Sequence, residues 1–180
     1  MSMNKLCRIL ALVGIGSGVA LALAACASKP PSPMATVQQV DLPAFMGTWN
    51  VIGSIPTWFE RGAYNAADHY TLAADGTIDI RFTYNQDSAD GPAKRMDSRG
   101  FVQGPSNAVW GVQFIWPIKA DYRIAWLSPD GRQTIIAREK RDYVWIMSRD
   151  TTMPEADYQA ALGRVAALGY DVGKVQRALR

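Results

Sequence analysis

Few side chains in this sequence could carry out catalysis or hold a metal ion. His69 is the only histidine, and both cysteines, Cys7 and Cys26, flank an apolar stretch near the N-terminus. Acid–base catalysis, nucleophilic catalysis and zinc sites each need several such groups close together, and no Gly-x-Ser-x-Gly turn occurs. The sequence therefore predicts no catalytic, cofactor or metal site. An enzyme that acts through His69 remains the alternative.

Aromatic side chains are more informative, because they recur at alternate positions. In "TIDIRFTYN", Ile78, Ile80, Phe82 and Tyr84 fall on one face of an extended strand. By the same alternation, His69 points to the outer face of its strand. The period of two yields three further faces, which carry Trp110, Val112, Phe114 and Trp116, then Tyr122, Ile124 and Trp126, then Tyr143, Trp145, Met147 and Arg149.

These faces belong to a series of short strands separated by turn sequences such as Asp75-Gly76 and Asp130-Gly131. The pattern predicts an all-β protein, either an eight-stranded up-and-down antiparallel barrel or a sandwich. The many aromatics favour a barrel with a partly open ligand cavity; the alternative is a barrel that its aromatics fill. The predicted strands span residues 46–55, 63–73, 77–85, 93–103, 108–116, 120–127, 132–138 and 143–149.

One α-helix is predicted after the last strand. Thr152 and Glu155 have the spacing of a capping box. Apolar residues then follow a helical period from Ala156 to Leu168, and Gly169 stands where a helix C-cap would lie. We expect this helix to pack against the outside of the barrel.

The N-terminus has the pattern of a secretion signal over residues 1–25, with two basic residues ahead of a long apolar run. A transmembrane helix is the alternative. The run ends in Leu-Ala-Ala-Cys at Cys26, which resembles the lipobox of bacterial lipoproteins. This resemblance implies cleavage before Cys26 and acylation of that residue, and Ala27 favours sorting to the outer membrane. Residues 26–40, which are rich in Pro and Ser, predict an extended tether, and residues 41–180 a folded domain.

Charge argues against a nucleic-acid partner. Of the 19 basic residues, Lys5 and Arg8 lie in the signal, and no acidic residue precedes Asp41, so the rest of the chain carries 17 basic and 16 acidic side chains. A nearly neutral domain does not indicate a phosphate-binding surface.

Gly47-Thr48-Trp49 at the start of the first strand resembles the Gly-x-Trp signature of the lipocalins, and Arg149 resembles the arginine near the end of their last strand. The wider segments around them are similar to bacterial lipocalins of the outer-membrane lipoprotein type. The resemblance implies that Arg149 lies across the Trp49 ring at the closed end of the barrel, and that Gly47 leaves room there for the preceding segment. One departure is Gly131, which stands where many lipocalins have an aromatic residue.

Alternation and this resemblance together predict the ligand-binding residues. Lys94 and Arg61 near the rim could meet an acidic headgroup, or be ordinary solvated charges. Asp68 could contact a cationic headgroup or hydrogen-bond a tyrosine. The predicted ligand-binding residues are Trp58, Tyr64, Asp68, Phe82, Tyr84, Met96, Phe114, Trp116, Tyr122, Trp126, Tyr143 and Trp145.

The resemblance implies non-catalytic binding, carriage or storage of a fatty acid, lysophospholipid or similar amphiphile. It further implies a monomer or weak dimer, anchored through Cys26 to the outer membrane and facing the periplasm, without cofactor or nucleic acid. Two alternatives stay open: an envelope protein-interaction module that docks a partner through Trp58 and Phe59, and a lipid-modifying enzyme.

Overall fold

The computed structural model describes residues 32–180, so the predicted signal, Cys26 and the first part of the tether lie outside the described residues. No helix in this range has both the length and the apolar character needed to cross a membrane. The elements are α1 Leu42–Phe45, β1 Gly47–Ile55, β2 Ala63–Leu72, β3 Ile78–Gln86, β4 Ala93–Gln103, β5 Val109–Ile115, β6 Ile118–Leu127, β7 Gln133–Ala137, β8 Val144–Ser148, α2 Glu155–Ala167, a 3₁₀ turn Val172–Lys174 and β9 Gln176–Arg177.

Strands β1 to β8 form the predicted barrel. Each pairs antiparallel with the next one in the chain, and β8 pairs with β1 to close the wall. Closure leaves no long sheet edge exposed. The eight-stranded up-and-down barrel with one helix after it is therefore confirmed. The loops that follow β1, β3, β5 and β7 lie at one end, the open end, and those that follow β2, β4 and β6 lie at the closed end.

The closed end is built around Trp49. Its indole N–H donates to the carbonyl of Phe45 at 2.9 Å, in the helical turn α1 that crosses this end. The guanidinium of Arg149 lies 3.9 Å from the Trp49 ring centroid and donates to the carbonyls of Thr48, Ala44 and Phe45. Gly47 has a φ of +93°, in the left-handed region that favours glycine. The arrangement expected for Gly47, Trp49 and Arg149 is thus present.

Residues 32–40 are not a free tether. Met34 and Val40 are buried, and the Val40 amide donates to the carbonyl of Ser106 at the closed end. At the other end of this segment, the carbonyl of Ser32 accepts a hydrogen bond from Arg141, in the loop after β7 at the open end. The segment therefore runs along the barrel from the open end to the closed end, because its apolar side chains find partners on the wall.

Helix α2 packs on the outside of the barrel through Tyr158, Ala161 and Val165. A Cβ at Gly53 would lie 2.8 Å from the Tyr158 hydroxyl, so β1 needs a glycine where the helix approaches. The predicted capping box is wrong: Pro154 is the N-cap residue and no side chain caps the helix, because the helix begins only at Glu155. Gly169, with a φ of +89°, follows the C-cap as predicted.

The segment after α2 completes the wall. β1 and β2 pair only over Gly47–Asn50, and beyond that point the two strands separate. β9 enters the gap: it pairs antiparallel with β1 at Gly53 and Ser54, while Leu179 forms a parallel bridge to Tyr64 of β2. Two backbone hydrogen bonds hold it there: the amide of Asn65 donates to the carbonyl of Leu179 at 2.9 Å, and the amide of Ala178 donates to the carbonyl of Ile52 at 3.0 Å. The sequence pattern did not predict this strand.

Candidate ligand-binding cavity

The interior of the barrel contains a cavity of about 260 Å³, which lies between the closed end around Trp49 and the open end. Strand alternation supplies its wall, since every second side chain of an antiparallel barrel points inward. The wall is mostly apolar, as in sites that hold hydrophobic ligands. Its apolar side chains are Trp58, Phe59, Ile80, Phe82, Met96, Val112, Phe114, Ala120, Ile136, Tyr143, Trp145 and Met147.

A small polar cluster lies at the floor of the cavity. The Tyr70 hydroxyl donates to Oδ2 of Asp68 at 3.0 Å, and the hydroxyls of Tyr70 and Tyr122 are 2.8 Å apart. When Asp68 is ionised it only accepts, so Tyr70 uses its single hydroxyl hydrogen on Asp68 and Tyr122 is the donor in the second bond. Tyr122 stacks on Trp110 with ring centroids 5.0 Å apart, which fixes the cluster above the closed end. The predicted tyrosine partner of Asp68 is thus Tyr70.

Burial governs the protonation of this cluster. Removal from water raises the pKa of Asp68 from 3.8 to about 7; the hydrogen bond from Tyr70 opposes this rise, and the nearby charge of Glu60 adds to it. Burial likewise raises the pKa of Tyr70 and Tyr122 well above 10. Both hydroxyls therefore stay protonated, and Asp68 carries a proton over much of the range below pH 7.

The loop between β1 and β2 is held over the open end by Glu60. One carboxylate oxygen of Glu60 accepts from the indole N–H of Trp145 at 2.8 Å, and the other accepts from the amide and hydroxyl of Thr57 at 2.7 and 2.6 Å. These bonds position Trp58 and Phe59 at the mouth, where the Phe59 ring lies 6.3 Å from that of Phe114.

Arg138 contributes a cationic group to the cavity wall near the mouth. Its guanidinium lies 5.3 Å from the Tyr143 ring centroid, and Nη1 is 3.4 Å from a carboxylate oxygen of Asp142. The Nε–H is buried without a hydrogen-bond acceptor among the described residues. An unsatisfied buried donor is costly, so a ligand oxygen within reach of this guanidinium would be stabilised.

Most of the predicted ligand-binding residues meet at this cavity. The polar members Asp68 and Tyr122 lie at its floor, and the loop residue Trp58 at its mouth. Those that line the cavity are Trp58, Asp68, Phe82, Met96, Phe114, Tyr122, Tyr143 and Trp145.

Four predicted residues do not line it, for reasons that strand period alone cannot show. A bulge with Asn65 at a φ of +51° turns Ala63 and Ala66 inward and moves Tyr64 out of the lumen. A second bulge, between Ile124 and Trp126, turns Trp126 outward, where Arg164 of α2 covers its ring at 4.3 Å.

The other two lie at the open end. Trp116 is in the tight turn between β5 and β6, next to Pro117, and its side chain is 82% exposed. The strand stops at Ile115, which pairs with Ile118 across the turn, so Trp116 is not part of the wall. Tyr84 packs on Phe82 with centroids 5.3 Å apart and does not reach the cavity.

Some cavity residues escaped the sequence prediction. Tyr70 follows Asp68 by two positions on the same face, and Ile80, Val112 and Met147 also obey the alternation, so the pattern could have found them. Glu60 and Arg138 lie in loops, where no period exists. Lys94 and Arg61 are exposed and do not line this cavity, in agreement with the alternative that they are ordinary solvated charges.

His69 lies on the outer face of β2, as the alternation predicts. Its ring nitrogens are 2.9 Å from the Thr48 hydroxyl and 3.0 Å from the Thr83 hydroxyl. Over residues 32–180 no three His, Cys, Asp or Glu side chains are arranged so that they could hold a metal ion.

Comparison with known proteins identifies the family. Residues 40–180 match the lipocalin-like domain family. The chain is a lipocalin. This lipocalin is 30% identical over 169 residues to the outer membrane lipoprotein Blc of Escherichia coli strain K12, a match that covers 93% of this chain and 94% of Blc. It is 28% identical over 160 residues to temperature-induced lipocalin-1 of Arabidopsis thaliana, with 80% of this chain and 81% of that one covered.

Solved structures agree on the fold. Insecticyanin from the tobacco hornworm Manduca sexta superposes on this lipocalin with a TM-score of 0.61 at 14% identity, over 81% of this chain and 83% of its own. Lobster apocrustacyanin A1 gives a TM-score of 0.61 at 10% identity, over 84% and 93%. The family match and the 30% identity to Blc confirm the resemblance, drawn from Gly47, Trp49 and Arg149, to bacterial lipocalins of the Blc type. Such family membership supports binding of a small hydrophobic ligand, and lipocalins are typically non-catalytic binding proteins.

Proposed function

We propose that this lipocalin binds a single-chain amphiphile, a fatty acid or a lysophospholipid, and carries or stores it at the outer membrane. The acyl chain occupies the apolar cavity, and the acidic headgroup lies at the mouth against Arg138. The observation that carries the proposal is the guanidinium of Arg138 at the mouth of a mostly apolar cavity, with a buried Nε–H that lacks an acceptor among residues 32–180. A carboxylate or phosphate oxygen would form charge-assisted hydrogen bonds with such a group.

Asp68 has a different role in this proposal. It lies at the floor, below the acyl chain, and is bonded to Tyr70. A headgroup at the mouth does not reach it. The floor cluster limits how deep the apolar chain descends, because removal of water from Asp68 and Tyr122 without new hydrogen bonds would be unfavourable.

Binding is tested with delipidated protein that carries Cys26→Ser, titrated with palmitate and with lysophosphatidylglycerol while tryptophan fluorescence is followed. We expect saturable quenching at one ligand per chain. Ala120→Trp, which adds bulk inside the cavity, should weaken binding at least tenfold. Trp126→Ala, on the outer face, is the control and should retain the affinity for ligand. If neither amphiphile binds wild type, the barrel is filled and the proposal is wrong.

The headgroup contact has its own test. Arg138→Gln should weaken palmitate about tenfold, the loss of one charge-assisted hydrogen bond. Lys94→Gln removes an exposed cation outside the cavity and should change the affinity less than twofold. Equal losses in both variants would instead indicate a general electrostatic effect of net charge.

The membrane anchor is a separate part of the proposal. We propose that Cys26 is acylated and holds the protein on the periplasmic side of the outer membrane. The lipobox-like Leu-Ala-Ala-Cys sequence and the similarity to outer membrane lipoproteins support it. Cells grown with radiolabelled palmitate should label the wild-type protein, and Cys26→Ser should abolish the label and release the protein from the membrane fraction.

A further inference from the structure

Five large apolar side chains form an exposed patch at the open end, here called the mouth patch: Trp58, Phe114, Ile115, Trp116 and Ile118. The last four lie on the β5–β6 hairpin. The Phe59 ring joins the two parts of the patch, since it lies 5.7 Å from the Trp58 ring and 6.3 Å from the Phe114 ring. Trp116 is 82% exposed and Ile118 70%. A contiguous apolar surface of this kind marks an interaction site.

The start of the described chain lies at the same end of the barrel. The Ser32 carbonyl accepts from Nη2 of Arg141 at 2.7 Å, and the Met34 amide lies 3.2 Å from the Glu139 carboxylate. Both partners belong to the loop after β7, whose ends at Arg138 and Tyr143 line the mouth of the cavity. The chain therefore enters the barrel beside the mouth and reaches the closed end only at Val40, which bonds to the Ser106 carbonyl.

Chain length then limits where an anchor at Cys26 can lie. Cys26 precedes Ser32 by six positions (32 less 26), which span at most about 20 Å of extended chain. The eight positions from Ser32 to Val40 cover about 25 Å in the opposite direction. An acylated Cys26 therefore cannot reach a bilayer that lies beyond the closed end, whereas a bilayer that faces the mouth is within reach.

We propose that the mouth of the barrel faces the bilayer and that the mouth patch inserts into its headgroup region. The proposal rests on the proposed acylation of Cys26. Tryptophan and large aliphatic side chains suit this position, because they have an apolar body and, in tryptophan, an N–H that can remain hydrated. In this orientation the cavity opens onto the membrane, and an amphiphile passes between bilayer and lumen without crossing bulk water. The occupant of the patch is the phospholipid surface.

The orientation is tested on the acylated protein in vesicles of phosphatidylethanolamine and phosphatidylglycerol. Residues 32–180 contain no cysteine, and acylation blocks the thiol of Cys26. Ile118→Cys therefore introduces one free thiol at the mouth patch, and Ala74→Cys introduces one in the exposed β2–β3 turn at the closed end. Each is labelled with a polarity-sensitive fluorophore. We expect the label at Ile118→Cys to brighten several-fold and to be quenched by lipids with spin-labelled acyl chains, and the label at Ala74→Cys to remain in water.

A water-exposed label at Ile118→Cys, or a quenched label at Ala74→Cys, overturns the orientation. A label at Ile118→Cys that is buried in detergent as well, with a doubled particle mass, overturns it too, because a second copy would then cover the patch. Mass spectrometry of the same protein reports whether Cys26 is acylated. Titration with palmitate reports the proposed function independently, so a failed orientation and a failed ligand-binding proposal are distinguishable.

Exchange of ligand provides a second readout. In protein with Cys26→Ser, the double variant Trp116→Ser with Ile118→Ser should slow transfer of a fluorescent fatty acid from protein to vesicles about tenfold. Its affinity for the same fatty acid should stay within twofold, since neither side chain lines the cavity. Leu72→Ser, an exposed apolar residue at the closed end, is the control and should leave the transfer rate unchanged. An unchanged rate in the double variant contradicts the proposal.

Discussion

The two ends of the barrel use similar aromatic residues in opposite ways. At the closed end Phe45, Trp49 and Trp110 are buried, and each indole N–H has a backbone acceptor, at 2.9 Å for Trp49 and 2.7 Å for Trp110. At the open end Trp58 and Trp116 are largely exposed. The difference shows that aromatic content alone does not indicate a role. A tryptophan stabilises the fold where strands converge on a covering segment, and it forms a contact surface where a loop leaves the wall.

The largest effect on stability is expected when the Trp49 ring at the closed end is removed. Trp49→Ala leaves a cavity beneath the lumen and removes one of the two side-chain hydrogen bonds to the carbonyl of Phe45, so we expect the free energy of unfolding to fall by about 3–5 kcal/mol. Urea denaturation monitored by circular dichroism measures it. Trp126→Ala, at a partly buried site outside the barrel, should cost less. If Trp49→Ala were as mild as a surface substitution, the closed end would not be the stable end of the molecule.

Arg149 is the next test of the closed end. Arg149→Met keeps an apolar stem over the Trp49 ring but loses the hydrogen bonds to three backbone carbonyls, and we expect a loss of about 2–3 kcal/mol. Arg132→Met is the matched control, because Arg132 makes one exposed ion pair with Asp150; it should cost much less than Arg149→Met, since exposed ion pairs contribute little to stability. Thermal unfolding of the two variants under the same conditions compares them directly.

The floor cluster predicts a dependence on pH. The pKa of Asp68 is about 7 in the folded protein and 3.8 at its ordinary value, so between these values the folded state holds a proton that the unfolded chain has lost. The contribution of Asp68 to stability is therefore greatest below about pH 4, falls as pH rises to about 7, and is constant above.

Asp68→Asn removes this titration and keeps an acceptor for Tyr70. Relative to wild type, we expect the variant to gain on the order of 2 kcal/mol between about pH 4 and pH 8, less than the full shift implies because the carboxylate also faces the open cavity. Urea denaturation at the two pH values tests this. A difference between the two proteins that does not change with pH would mean that Asp68 titrates normally.

The smallest effect on stability is expected at the open end, for removal of the Trp116 side chain. Trp116→Ala removes a side chain as large as that of Trp49, yet we expect the free energy of unfolding to change by no more than about 0.5 kcal/mol. The same urea experiment measures both tryptophans. A loss of several kcal/mol would mean that the β5–β6 turn is packed in solution, in which case it could not form an exposed patch.

Much of the fold was predictable because it follows from a period of two and from turns. The pattern Ile78, Ile80, Phe82 locates β3 and its inward face, and the Gly47-to-Trp49 segment with Arg149 identifies the family. The helix was predicted from its apolar spacing, although its N-cap was not, because Thr152 and Glu155 have the right spacing in an extended segment that precedes the helix.

The cavity was predicted less completely, and the misses share a cause. A bulge shifts the inward–outward alternation by one residue. One bulge in β2 and another in β6 therefore turn Tyr64 and Trp126 away from the lumen, into which both were predicted to point. Nothing in the local sequence distinguishes an alanine-rich strand with a bulge from one without. Loop residues such as Glu60 and Arg138 reach the cavity through tertiary hydrogen bonds and ring contacts, which sequence spacing does not encode.

The gap between β1 and β2 that β9 fills affects the order in which the barrel assembles. Arg180 donates to the carbonyl of Val51, a contact between positions 129 residues apart. β1 is the first barrel strand to be synthesised. Its part near the open end, at Gly53 and Ser54, gains its second neighbour only when β9 has been made and has docked. Until that segment docks, β1 and β2 present unpaired edges that can recruit a strand from another chain. Closure of the wall is thus a late, long-range step, and a shortened chain that lacks β9 is expected to aggregate or exchange strands even though all eight barrel strands are intact.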